Sequence, residues 1–204
     1  MKRFSICCAA AFAALLAACS FSLLPRTDYT EPRTFDLATP APIEGLPFAI
    51  ETDSFSNECS GRYKMVFREK ANEIEIDQYN RWSVPPGAMV TKSLAACFAM
   101  PPDNANRTVK PVFELDGSVL ACEMNKEQKE VSLMVHYFIT EPGNEAFRIS
   151  GTKDYRIPVA EATPDAFADG LNIAISKFAD QVVEILTKEL KDRAAEAKAP
   201  AEKK

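Results

Sequence analysis

Hydrophobic and polar positions alternate in short runs over most of this chain, then step by three and four near its end. Thr34-Phe35-Asp36-Leu37 gives the first strand signal, and Phe48, Ile50 and Thr52 alternate with Ala49 and Glu51 after the turn-rich stretch Pro40 to Pro47. Tyr63, Met65 and Phe67 form a third run with Lys64 and Arg68 set against them. Glu73-Ile74-Glu75-Ile76-Asp77 is the cleanest alternation, apolar on one face and acidic on the other, and it predicts a half-buried strand.

From Val109 to Val159 the pattern predicts an antiparallel meander. Val112 to Leu115 runs into Asp116-Gly117, a turn dipeptide, and Ser118 to Met124 follows. The polar stretch Asn125 to Gln128 makes the next turn. Glu130 to Thr140 then places Val131, Leu133, Val135, Tyr137 and Ile139 on one face. Glu141-Pro142-Gly143-Asn144 turns again, and Phe147 to Pro158 completes the set.

Two segments read as helices. Pro85-Pro86 can open a helix but not sit inside one, and Val90, Leu94, Cys97 and Phe98 share a face before Pro101-Pro102-Asp103-Asn104 stops it. The second helix starts from Thr163 as N-cap, with Pro164 in the first turn and Asp165 near its positive end. Phe167, Leu171, Ala174, Ile175, Phe178, Val182, Leu186 and Leu190 form its apolar stripe. Strands, a helix, more strands and a closing helix give an α+β class. A largely antiparallel or mixed sheet is covered on one face by two main helices in a single domain.

The N-terminus changes the picture. Lys2 and Arg3 precede a short apolar stretch, Phe4 to Leu16, which is too short for a membrane span of roughly 20 residues. Leu16-Ala17-Ala18-Cys19 closes it as a lipobox, so residues 1–18 are expected to be a signal peptide and Cys19 the lipidated residue. Cys19 then carries a diacylglyceryl thioether and an N-acyl chain (palmitate), enough together for stable anchoring. Ser20 in place of aspartate favours the outer membrane, on its periplasmic face. Residues 19–33 read as lipidated cysteine and tether, 34–193 as the domain and 194–204 as a disordered tail. A tether of this length reaches about 45 Å at roughly 3.3 Å per residue, so the body stays near its membrane.

The formal charge is −5 for the whole chain, which becomes −7 once Lys2 and Arg3 leave with the signal. That balance argues against nucleic acid as a partner. Cys7 and Cys8 leave with the signal and Cys19 is consumed by lipid. Cys59, Cys97 and Cys122 remain, enough for one disulfide between any one pair, with Cys97 expected to be buried. Long cysteine spacings and a single histidine give no metal site. That histidine, His136, sits mid-strand between Val135 and Tyr137, and no nucleophile elbow, phosphate loop or zinc-protease motif accompanies it. Glu73, Glu75 and Asp77 read as a solvated strand face. Asn106-Arg107-Thr108 is a sequon that stays idle in a cell that uses a lipobox. No catalytic residue and no cofactor is expected, and the chain reads as no enzyme.

Several segments together resemble the ABC-type transport auxiliary lipoproteins (PqiC-like). These are Phe35-Asp36-Leu37, Arg62 to Arg68 with its aromatic-arginine pair Phe67-Arg68, Glu73 to Tyr79, and Trp82 with Pro85-Pro86 opening a helix to Phe98. The Glu130 to Thr140 strand and the helix start at Pro164 and Phe167 are similar too, so the likeness covers most of residues 34–190. Phe67 stands where the pattern has tyrosine, and the three domain cysteines lie outside the pattern. The resemblance implies an accessory subunit of an intermembrane lipid-transport system. Its partners would be a mammalian-cell-entry (MCE) domain periplasmic protein and, through it, an inner-membrane ABC permease. Trp82, Pro85 and Pro86 are the candidate partner contacts, with a packing role for Trp82 as the alternative. Self-association into a homo-oligomer stays open. So do two other classes: an envelope-assembly or peptidoglycan-synthase-activating lipoprotein, and a periplasmic hydrolase.

Overall fold

In the computed structural model, which describes residues 30–99 and 111–198, seven strands and two helices follow one another along the chain. The strands before the first helix are β1 (Arg33–Phe35), β2 (Ala49–Asn57), β3 (Lys64–Lys70) and β4 (Glu73–Trp82). Helix α1 (Pro86–Cys97) follows, then β5 (Val112–Asn125), β6 (Glu130–Thr140), β7 (Arg148–Pro158) and helix α2 (Pro164–Lys198). Residues 1–18, Cys19, the tether to residue 29, the sequon Asn106-Arg107-Thr108 and residues 199–204 lie outside the described residues.

All seven strands belong to one mixed sheet, ordered β1-β4-β3-β5-β6-β7, with β2 also on β5. The fold is α+β, as the pattern of elements predicts. β5 runs for 14 residues and is long enough to take two partners on one edge. β2 pairs with it from Val112 to Val119, and β3 joins at Met124 and Asn125. β6 follows the other edge in antiparallel register, and β7 follows β6. The pairings β1–β4, β2–β5 and β3–β5 are parallel.

Both helices lie on one side. α1 packs on β2 and β5, and α2 on β6 and β7. Between them and the sheet sits the core, in which Met65, Trp82, Leu94, Phe113, Leu133, Phe167 and Phe178 are each nearly or wholly buried. β6 shows the two sides plainly, with buried and half-buried residues alternating along its full length. The start of α2 is built as its sequence predicts: the Ala166 amide donates to Thr163 Oγ1 at 3.2 Å. Its end runs past Arg193 to Lys198, and residues 194–196 are exposed there.

Two expectations need correction. Asp116-Gly117 makes no turn and lies inside the continuous strand β5. Gly117 pairs with Phe55 on one side and Tyr137 on the other, and a Cβ there would strike the His136 carbonyl and crowd the Phe55 ring at 2.9 Å. The glycine serves close approach of neighbouring strands. β4 is also not half-buried as predicted: residues 73–76 are all exposed, Ile74 and Ile76 at 39% each. Ile74 and Ile76 lie on the face of the hairpin away from both helices, so that apolar face has nothing to bury against.

Candidate interaction surface

Trp82 ends β4 and is 1% exposed. Its indole meets the Phe167 ring of α2 edge to face at 5.1 Å, and Phe67 approaches the same ring at 5.9 Å. Pro86, in the first turn of α1, is buried as well. Trp82 therefore takes the packing role left open for it, and Pro86 is likewise covered. Pro85 is half-buried. The tryptophan-proline signature therefore fixes how β4 hands over to α1.

Among the described residues, four of the five exposed large apolar side chains lie on or just before the same hairpin, the fifth being Ile173 on α2. Ile76 stands opposite Val66 and Ile74 opposite Arg68, all on the sheet face away from the helices. Val66 is covered, since a Cβ on Gly61 would fall 2.5 Å from its methyl group, whereas Ile74 and Ile76 are not. Tyr79 (50% exposed) and Tyr63 (42%) add aromatic surface to the hairpin. In sequence Ile74 and Ile76 look like any inward face, because alternation marks two sides of a strand without saying which side is covered.

Next to these isoleucines Arg68 is held firmly. Its Nε and Nη2 donate to Glu123 Oε1 and Oε2 at 2.6 and 2.7 Å, and Nη1 donates to the Ala71 carbonyl at 2.7 Å. This bidentate bond holds the guanidinium pKa above its ordinary range. The pair borders a polar hollow of about 250 Å³ whose rim includes Asn125, Ser132 and Arg156. On the other face of the hairpin Lys126 reaches Glu69 and Glu75 at 2.5 and 2.6 Å, over the Phe67 ring. Desolvation works against the Lys126 charge, but the bonds to the two carboxylates outweigh it and raise its pKa.

His136 lies on the open face in mid-β6. Its Nδ1 is 2.9 Å from Thr152 Oγ1 and its ring meets Phe138 edge to face. Cross-strand pairing puts Ser118 and Thr152 on either side of it. Glu73, Glu75 and Asp77 do not converge on it: Glu75 holds Lys126, and Asp77 accepts the amides of Tyr79 and Asn80. Among the described residues no group of three or more histidine, cysteine or acidic side chains is placed to hold a metal ion. Cys59, Cys97 and Cys122 are free thiols here, with Cys97 and Cys122 buried and Cys59 half-buried. Burial raises the pKa of all three, most strongly for Cys122, and Asp180 of α2 adds to the effect on Cys97.

The family model for the ABC-type transport auxiliary lipoprotein component matches residues 61–183, from the loop before β3 to just past the middle of α2. The chain belongs to that family. The fold recurs in protein XCC0632 from Xanthomonas campestris, with TM-score 0.60 and 12% identity over 79% of this chain and 99% of that one. A second crystal structure, of an uncharacterized protein, gives TM-score 0.59 and 9% identity over 77% and 99% of the two chains. The PelC dodecamer from Paraburkholderia phytofirmans is also similar, at TM-score 0.33 and 13% identity over 68% of this chain and 92% of its own. No curated protein matches the sequence.

As an ABC-type transport auxiliary lipoprotein component, the chain is an accessory to transport and belongs to a lipoprotein family. The matched span takes in Phe67, Arg68, Trp82, the exposed hairpin and the open sheet face. Among the described residues, no helix is long and apolar enough to cross a membrane.

Proposed function

We propose that this protein is a membrane-anchored, non-enzymatic accessory lipoprotein of an intermembrane lipid-transport system. Cys19 carries the lipid and holds the domain at the periplasmic face of the outer membrane. The domain binds an MCE-domain periplasmic protein and, through it, an inner-membrane ABC permease. The observation that carries the binding role is the β3–β4 hairpin, where Ile74, Ile76 and Tyr79 stay exposed beside the braced Arg68–Glu123 pair. Apolar side chains rimmed by fixed polar groups have the make-up of a protein contact surface.

Crosslinked pulldown of the anchored protein from membranes tests the proposal. The wild type should recover an MCE protein. The Ile74→Ser/Ile76→Ser double variant should lose most of it while remaining folded and membrane-bound, and Cys19→Ser should leave the membrane fraction. Recovery of a penicillin-binding protein in place of an MCE protein would transfer the role to peptidoglycan-synthase activation. Loss of complementation in His136→Ala would promote the hydrolase.

A further inference from the structure

β2 leaves the edge of β5 after the pair Asn57↔Val119, with the Glu58 amide still bonded to the Val119 carbonyl at 3.0 Å. β3 takes up the same edge at Phe67↔Met124. The connection between them therefore crosses the short interval of β5 from Leu120 to Glu123. Cys59 lies in the bend just after β2, two positions beyond the last β2 pair, and continuing that register along β5 sets it beside Ala121. The extra residue that β5 carries between Val119 and Ala121 brings Cys122 to the same level.

We infer that Cys59 and Cys122 form the disulfide of the mature protein, tying the loop that launches the hairpin to the central strand, with Cys97 left as the free thiol. Neighbouring strands lie about 4.8 Å apart, within the roughly 4.4–6.8 Å between Cα atoms that a disulfide spans. Both sulfurs face apolar material: Cys122 is part of the core, and Cys59 packs against it with its thiol donating to Asn57 Oδ1 at 3.4 Å. The two thiols also feel each other electrostatically, since Cys59 adds to the upward push that burial exerts on Cys122. Cys97 stands apart at the end of α1, where the charge that acts on it is Asp180 of α2.

The unequal exposure of the pair sets the order of the chemistry. Cys59, the more accessible, loses its proton and attacks one sulfur of a disulfide oxidant such as glutathione disulfide. One glutathione thiolate leaves, and Cys59 is held in a mixed disulfide. The Cys122 thiolate then attacks the Cys59 sulfur and expels the second glutathione. Two protein S–H bonds are exchanged for one S–S bond, and the oxidant takes the two electrons as two thiols. The closed ring contains β3, β4 and α1, so the bond fixes the exposed hairpin against the sheet. The envelope location bears only on the source of oxidant; the pairing rests on where β2 leaves and β3 rejoins the edge of β5.

The experiment uses the full chain, equilibrated with glutathione disulfide, alkylated under denaturing conditions, and mapped by mass spectrometry without reduction. The expected result is a linked peptide pair containing Cys59 and Cys122, with alkyl label on Cys97. Melting with and without reductant gives the second reading. Wild type and Cys97→Ala should lose several degrees on reduction, whereas Cys59→Ser and Cys122→Ala should melt alike in both conditions. A linked peptide containing Cys97, or alkylation of both Cys59 and Cys122 after equilibration, would overturn the inference. An MCE protein missing from the pulldown would leave this result untouched.

Discussion

The Trp82 indole and the Phe167 ring meet with planes at 82°, joining the last residue of β4 to the first turns of α2. Each is almost wholly buried, so this contact is where the closing helix is seated on the older half of the sheet. Trp82→Ala should cost about 3–5 kcal/mol, the usual range for deleting a large aromatic from a core. A double-mutant cycle with Phe167→Ala should return a coupling of about 1 kcal/mol. Chemical denaturation measures both. A loss under about 1 kcal/mol for Trp82→Ala would mean that the indole is not held in the core.

Gly117→Ala should destabilise by about 1–3 kcal/mol, because the new methyl meets the His136 backbone carbonyl, which the β6 ladder holds in place. Gly143→Ala meets no atom within 4 Å, and its cost is only that of a side chain at φ +81°, about 1 kcal/mol. Urea midpoints should therefore rank Gly117→Ala below Gly143→Ala.

The far end of α2 is tied down by charge. Arg193 Nη1 lies 2.8 Å from Glu141 Oε2, and its guanidinium stacks 4.2 Å from the Phe147 ring centre. The bond to Arg193, helped by Asn144, holds the Glu141 pKa below the ordinary glutamate range. A depressed carboxylate stabilises the fold above its unfolded pKa, about 4.3, and that contribution is lost as pH falls through the lower folded value. Melting temperature should therefore drop on acidification below about pH 4, and Glu141→Gln should flatten the slope there. Equal slopes for the two proteins would exclude the pair as a source of acid sensitivity.

Truncation after Arg193 should leave the melting curve unchanged, since residues 194–196 are exposed. Truncation before Arg193 should lower it, because the bonds to Glu141 and Glu189 are removed. Differential scanning calorimetry separates the two outcomes.

Periodicity made β6 and α2 legible, since each has one covered side and its apolar residues keep strict step over many positions. Ile74 and Ile76 kept equally strict step and misled, because only tertiary placement decides whether a helix arrives to cover them. Asp116-Gly117 misled for a related reason: a dipeptide that suits a turn also suits a crowded strand centre, and the crowding comes from Phe55 and His136, distant in sequence. Parallel partnership was equally hidden. Nothing in Ala49 to Asn57 names Val112 to Val119 as its neighbour. Of the residues singled out as contacts, Trp82 and Pro86 stood out by motif, and a motif tracks burial as readily as binding.

One edge of β5 serves both β2 and β3, yet β5 is made after either of them. When the first hundred residues exist alone, β4 can pair with β1 and β3, but β2 has no strand to join. A nascent or threading chain can therefore gather only fragments of its sheet until residues 112–125 are free. The centre of the sheet therefore depends on one late segment of the chain, through which the two earlier strands β2 and β3 are joined.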